Sequence, residues 1–121
     1  MLLRLHHAQI TIPLGAEDQA RTFYSQVLGM EEIAKPQSLS SRGGLWLKLG
    51  DIQIHVGTEQ GVDRCATKAH LAYEVHDLAH WRKVLTDRGV QIEQCVAIPG
   101  YERFEFRDPF GNRVEMLQRI G

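Results

Sequence analysis

The sequence predicts an α+β fold of two βαβββ modules, whose strands form a curved, partly closed mixed sheet around a cavity with the helices outside. Two observations carry this prediction. The pattern of one strand, one helix and three further strands occurs twice along the chain. Each copy also opens and closes with a histidine or a glutamate in an alternating apolar segment: His55 follows His7 by 48 positions, and Glu115 follows His70 by 45. One module alone is too small to bury much surface, so the two modules are expected to pack together.

Length and composition fit one globular domain and exclude several classes of partner. The 121 residues suit a single domain of two modules, about residues 1–58 and 68–121, joined by a polar connection at 57–68. A net charge of −1 gives no basic excess for nucleic acid, and no apolar run is long enough to cross a membrane. Cys65 and Cys95 lie in no CxxC motif, which favours reduced thiols and a cytoplasmic protein but leaves a disulfide open.

The elements of the first module follow from alternation, helical spacing and turn residues. Ala8 and Ile10 alternate with polar residues, which predicts a half-buried strand. Apolar residues at helical spacing then predict a helix that ends at Gly29. Gly50-Asp51 is typical of a hairpin turn. The predicted elements are a strand over 6–13, a helix over 17–28, a strand over 30–34, a polar loop over 35–41, and hairpin strands over 45–49 and 52–56.

The second module repeats this order. Leu71 and Tyr73 alternate with polar residues in its first strand, and Asp77 is placed to cap a helix that ends at Gly89. The segment 108–112, DPFGN, is typical of a tight turn between the last two strands. The predicted elements are a strand over 70–76, a helix over 78–88, and strands over 90–96, 101–107 and 113–117.

The polar face of the predicted strands is the candidate cavity lining, because side chains alternate along a strand. This face contains His7, Gln9, Thr11, Gln53, His55, His70, Ala72, Glu74, Arg103, Glu105, Arg107, Arg113 and Glu115. Such a face either points to water or lines a cavity, and the histidines at its ends favour the cavity. Imidazole and carboxylate ligands suit Zn, Ni, Co, Fe or Mn, and the ligand types do not choose among these metals.

Four further residues have two interpretations each. Trp46 either walls the cavity or lies in the core. Glu105 either pairs with an arginine or acts as a base. Arg103 and Arg107 either hold an anionic group of a substrate or are solvated or salt-bridged.

Alternation also predicts residues that lie away from the cavity. His6 neighbours His7 but points to the opposite face of the strand, so it is expected to be structural. Phe104 and Phe106 fall on the face that packs against the helices and are expected in the core.

Four stretches of the chain resemble the vicinal oxygen chelate superfamily, which includes glyoxalase I, extradiol dioxygenases, fosfomycin-resistance proteins and bleomycin-binding proteins. They are HAQI at 7–10, FYSQVLG at 23–29, KAHLAY at 68–73 and DPFGNRVE at 108–115. The resemblance covers nearly the whole chain. It specifies the fold better than the reaction.

The resemblance implies a set of metal ligands on the first and last strands of each module. His7 matches the ligand on the first strand, His70 the ligand on the fifth and Glu115 the ligand on the eighth. His55 matches the fourth-strand position, which is Glu in glyoxalase I, so it is a departure from that pattern. The interpretation stays open between a fourth metal ligand and a base that contacts the substrate.

The activity that the resemblance implies is that of a small metal-dependent, glyoxalase-like lyase or isomerase, which chelates a small-molecule substrate through adjacent oxygens. Glu115 or His55 would supply the base that moves a proton. The candidate substrate contacts are Gln53, Trp46, Arg103, Glu105 and Arg107. The alternatives are an extradiol-type dioxygenase, an antibiotic-modifying thiol transferase and a metal-free module that binds a ligand or drug. Relatives of this length also imply a homodimer.

Overall fold

The computed structural model describes residues 1–121, which divide into two compact units, Met1–Val62 and Asp63–Gly121. Each unit has the order βαβββ and one mixed four-stranded sheet that does not close into a barrel. The α+β class and the two βαβββ modules are therefore confirmed. The packing of both modules around one cavity stays a prediction. No helix of the chain combines the length and the apolar character that crossing a bilayer requires.

The first unit places its apolar residues on one face of its sheet. Its elements are β1 His7–Ile12, α1 Glu17–Ala20, β2 Glu31–Ile33, β3 Leu45–Leu49 and β4 Ile52–Thr58. The strand order is β1-β4-β3-β2, with β1 parallel to β4 and the other neighbours antiparallel. Its buried core consists of Ile12, Ala20, Phe23, Tyr24, Met30, Leu45, Leu47, Ile54 and Val56.

Three segments of the first unit differ from the prediction. The helix α1 continues as π-helical turns over Arg21–Val27, and the N–H of Leu28 then donates to the carbonyl of Phe23, five residues earlier. The loop predicted over 35–41 contains a 3₁₀ helix, Gln37–Arg42. Strand β4 runs two residues further than predicted, because those residues still pair with the end of β1.

The second unit repeats the topology. Its elements are β5 His70–Glu74, α2 Leu78–Asp87, β6 Glu93–Gln94, β7 Tyr101–Arg107 and β8 Arg113–Arg119. The strand order is β5-β8-β7-β6, with β5 parallel to β8. The Asp77 side chain caps α2 by accepting from the N–H of His80 at 3.1 Å. Phe104 and Phe106 are fully buried, which confirms that they belong to the core.

Strand β6 is much shorter than the predicted strand over 90–96. The carbonyl of Val96 accepts from Nε and Nη2 of Arg103, at 3.0 and 2.6 Å. It is therefore bonded to a side chain and not to a sheet neighbour, and the side chain of Val96 stays exposed. This arginine contact cannot be read from hydrophobic alternation.

The DPFGN segment forms the tight turn that leads into β8. The buried carboxylate of Asp108 accepts from the N–H groups of Phe110 and Asn112, at 2.9 and 2.8 Å. Asp108 thereby supplies the acceptors that the backbone of the turn needs. The turn fixes the start of β8, the strand that carries Arg113 and Glu115.

Gly44 is required where the chain enters β3. Its φ is +83°, and a Cβ atom there would lie 2.1 Å from the carbonyl oxygen of Val56. We expect Gly44→Ala to lower the free energy of unfolding by about 3 kcal/mol, the sum of backbone strain and overpacking. The matched control is Gly50→Ala, because Gly50 also has positive φ but has no atom within 4 Å of the added Cβ. Urea denaturation should show a loss of about 1 kcal/mol for the control, and equal losses would contradict the close approach.

Candidate functional site

Three aromatic rings stack on the polar face of the first unit. His55 lies between His7 and Trp46, with ring centroids 4.0 and 3.9 Å away and interplanar angles of 15° and 5°. Strand register produces this arrangement, because Trp46 of β3 pairs with His55 of β4 and β1 is the neighbour of β4 on the other side. His55 is only 5% exposed as a result. We call these three rings the aromatic stack.

The aromatic stack keeps His55 neutral and oriented. Burial, followed by the charges of His7, His6 and Lys35, lowers the pKa of His55 below its ordinary value. Its Nε2 lies 2.8 Å from Oε1 of Gln53, an acceptor, so Nε2 carries the proton. A neutral imidazole that donates through Nε2 keeps a lone pair on Nδ1, which can accept a proton or bind a metal.

His6 and Trp46 belong to this face as well. His6 was expected to point away from His7, and that expectation is wrong: the two Nδ1 atoms lie 3.0 Å apart and the rings meet edge to face. His6 precedes β1, so strand alternation does not govern its direction. Trp46 was open between cavity wall and core, and its stacking on His55 puts it on the polar face.

A cleft of about 560 Å³ opens beside the aromatic stack. Its lining consists of His6, His7, Gln9, Lys35, Leu39, Arg42, Gly43, Trp46, His55, Val56, Gly57 and Thr58. Sequence reasoning missed Lys35 and Arg42, since both fall in or next to the segment predicted as a polar loop. The sequence shows two cations in the segment that leads into β3. It does not show that this segment lines the cleft beside the aromatic stack.

A second cluster lies wholly within the second unit. His70, Glu105 and Glu115 offer ligand atoms that are all within 4.8 Å of one another. Nε2 of His70 lies 3.1 Å from Oε1 of Glu115. His70 comes from β5, Glu105 from β7 and Glu115 from β8, and β8 is the neighbour of both other strands. We call these three residues the carboxylate–histidine cluster.

Both ring nitrogens of His70 face oxygen acceptors. Nδ1 lies 2.9 Å from the carbonyl oxygen of Lys68, which can only accept, so Nδ1 carries a proton. Nε2 then faces a carboxylate oxygen of Glu115, and two lone pairs at that distance repel each other. A proton on Nε2 or a metal ion bound to both atoms removes the repulsion. Two cis ligands of one divalent ion lie about 3 Å apart, given metal–ligand distances of about 2.1 Å.

Arginines compensate the two carboxylates of the cluster. Glu105 and Glu115 are direct partners across β7 and β8, an arrangement of like charges that is unfavourable unless it is neutralised. Arg113 donates to Glu105 through Nε and Nη2 at 2.8 and 2.6 Å. Nη1 of Arg103 lies 3.3 Å from Glu115, which is 6% exposed. Burial tends to raise the pKa of Glu105, but the bonds and charge of Arg113 outweigh it and lower that pKa.

The predicted substrate contacts of the second unit are engaged by the protein itself. Arg103 holds the carbonyl of Val96 and pairs with Glu115. Nη1 of Arg107 donates to the carbonyls of Arg64 and Gly111, at 3.3 and 3.1 Å. Glu105 pairs with an arginine, which was one of its two interpretations. The substrate roles of these residues stay predictions.

The other predicted ligands, His7 and His55, lie in the first unit, on the aromatic stack. The structure thus brings His70 and Glu115 together within one unit and His7 and His55 together within the other. Gln53 accompanies His55 as its hydrogen-bond partner.

Comparison with known proteins gives the family. The family model of the Glyoxalase/Bleomycin resistance protein/Dioxygenase superfamily matches residues 4–116. The chain belongs to this superfamily. No curated protein matches the chain.

Several solved structures share the fold. A glyoxalase family protein from Bacillus anthracis is 38% identical, with 99% of this chain and 98% of that one covered and a TM-score of 0.91. A lactoylglutathione lyase from Agrobacterium tumefaciens is 19% identical over 95% of this chain and 92% of that one, with a TM-score of 0.72. An antibiotic-binding protein from Streptomyces sp. CB03234 is 20% identical over 99% and 100%, with a TM-score of 0.74. The last two likenesses show the fold alone.

Removing Arg113 should expose the repulsion within the cluster. We expect Arg113→Met to lower the free energy of unfolding at pH 7 in metal-free buffer, because two facing carboxylates lose one cation. The double variant Arg113→Met/Glu105→Gln should recover much of this loss, and Arg119→Met, on the exposed end of the same strand, should change little.

The loss should depend on pH with a defined sign. Because folding lowers the pKa of Glu105, its ionised form stabilises the fold fully at pH values above its ordinary pKa of 4.5. This stabilisation is lost as the pH falls through the pKa of Glu105 in the folded protein. The difference between wild type and Arg113→Met in chemical denaturation should therefore shrink in acid. A difference that stays constant from pH 7 to pH 3 would contradict the assigned pair.

Proposed function

We propose that this protein is a small metal-dependent enzyme of the glyoxalase type, and that its divalent metal binds at His70 and Glu115. The observation that supports the proposal best is the carboxylate–histidine cluster, with its ligand atoms all within 4.8 Å. The candidate metals are those that accept imidazole and carboxylate together: Zn, Ni, Co, Fe and Mn.

The residues of the cluster fit such an ion. The Nδ1 proton of His70 is held by the carbonyl of Lys68, which fixes the ring and leaves Nε2 as the ligand atom. Its distance of 3.1 Å from Oε1 of Glu115 matches two ligands of one ion. Glu105 adds a third ligand atom in reach. His7, implied as a ligand by the resemblance, is part of the proposal as well.

A bound divalent ion would polarise the adjacent oxygens of a chelated substrate. The protein's own residues would supply the base that moves a proton. His55 is the favoured base, because a base must be unprotonated at working pH and the lowered pKa of His55 provides this. The aromatic stack and Gln53 hold its ring in one orientation. Glu115, the other candidate base, is engaged by His70 and Arg103.

One observation favours a second function, a metal-free module that binds a small molecule. Arg103 and Arg113 already supply two positive charges to the two carboxylates of the cluster. The second unit is therefore compensated in charge without an ion. The likeness in fold to an antibiotic-binding protein fits the same reading. A homodimer, which the resemblance implies, is compatible with both functions.

Metal binding separates the two functions. Isothermal titration of chelator-stripped protein with Zn²⁺, Ni²⁺ and Mn²⁺ should give one equivalent for wild type. His70→Ala and Glu115→Ala should each weaken metal binding by more than about 100-fold. Removing a residue that only hydrogen-bonds to a metal ligand already lowers metal affinity by about 10- to 100-fold. The ion should also raise the thermal midpoint of wild type only.

The matched control is His80→Ala, which removes an exposed histidine of the same unit from the start of α2. It should bind like wild type. His7→Ala tests the ligand that the resemblance implies. No metal in wild type would contradict the enzyme and favour the metal-free module. Stoichiometric metal that persists in His70→Ala would contradict the metal site at His70 and Glu115.

A further inference from the structure

We propose that the cleft of the first unit binds a flat anion, an aromatic or conjugated carboxylate. The inference rests on the proposed function, because it names the class of substrate that the enzyme would take. A volume of about 560 Å³ is in the range of sites for small organic molecules. Two properties of the lining, its charge and its shape, carry the assignment.

The charge of the lining selects an anion. Lys35 and Arg42 are the charged residues of the lining, three histidines join them, and no aspartate or glutamate is present. Arg42 has no ion pair, and Nζ of Lys35 donates to the carbonyl of Gly43, which is not charged. Both cations are therefore available to an anionic group, and a guanidinium can hold a carboxylate through two parallel bonds.

One carboxylate, Glu17, lies close to the cleft without being part of its lining. Its Oε2 accepts from the N–H of Gly44 at 2.9 Å, and this bond is the main cause of the lowered pKa of Glu17. The charge of Lys35 contributes to the same lowering, but the two side chains form no ion pair. The bond holds the backbone at Gly43 and Gly44, which carries one edge of the cleft.

The shape of the lining selects a flat molecule. His7 and Trp46 each lie within 15° of parallel to the buried His55 and stack on its two faces, so the three rings form one rigid column. The surfaces that this column offers are its ring edges and the outer faces of His7 and Trp46. Leu39 adds apolar surface to the same cleft. A conjugated ring system can bury apolar area against aromatic side chains in stacked or edge contacts that a puckered saturated ring cannot make as closely. The cations and the aromatic stack belong to the same cleft, so one molecule can use both.

The test compares three probes of one size on the metal-free protein. They are 2-naphthoate, its neutral amide 2-naphthamide, and the saturated decahydro-2-naphthoate. Trp81→Phe leaves Trp46 as the only tryptophan, so quenching of its fluorescence reports on the cleft. We expect 2-naphthoate to quench and saturate. The amide and the saturated acid, each measured by its displacement of 2-naphthoate, should bind at least about fivefold more weakly.

Charge-removing variants locate the anion. Arg42→Gln and Lys35→Gln should each weaken 2-naphthoate by about threefold to tenfold and leave the amide unchanged. The matched control is Lys48→Gln, which removes the same charge from the exposed end of β3, outside the cleft. Equal binding of acid and amide, equal binding of flat and saturated acids, an effect of Lys48→Gln as large as that of Arg42→Gln, or no binding of 2-naphthoate would each overturn the proposal.

The measurement is independent of the metal, so the two proposals fail separately. If the stripped protein binds 2-naphthoate as expected but takes up no metal, the cleft assignment stands and the glyoxalase-type function falls. If metal binds at His70 and Glu115 but the three probes do not differ, the metal site stands and the substrate class falls.

Discussion

Glu105 and Glu115 face each other across β7 and β8, and this pair of negative charges is the constraint around which the second unit is arranged. Neighbouring strands bring the two side chains within a few ångströms, where like charges repel. Arg113 pairs with Glu105 and Arg103 pairs with Glu115. His70 of β5 also contacts Glu115. The polar face of this unit is therefore a compensated charge cluster, and a divalent ion is the further positive charge that its donor atoms fit.

The first unit has the same βαβββ order but different side chains on its polar face. Its polar face buries a neutral histidine between two flat rings and carries cations without carboxylates. The two units therefore carry different chemistry on the same topology, an oxygen-rich cluster in one and a basic, aromatic cleft in the other.

The sequence predicted those features that follow from local periodicity. Alternation placed His7, His55, His70 and Glu115 on polar strand faces, and glycine and proline placed the turns. It failed at β6, which covers only Glu93–Gln94 and beyond which the carbonyl of Val96 bonds to the Arg103 side chain and not to a neighbouring strand. It also failed for His6, which lies before β1 and escapes alternation. The roles of Lys35, Arg42 and Arg113 depend on which side chains meet across a turn or around a cleft, and no spacing rule gives these contacts.

The claim that the carboxylate–histidine cluster is a metal site can be tested most directly by diffraction at the zinc absorption edge, from crystals soaked in Zn²⁺. We expect an anomalous peak about 2.0–2.2 Å from Nε2 of His70 and from Oε1 of Glu115. A map at saturating zinc with no peak at His70, while its Nε2 stays hydrogen-bonded to Glu115, would contradict it. The cluster would then be a compensated charge network and the protein a binding module.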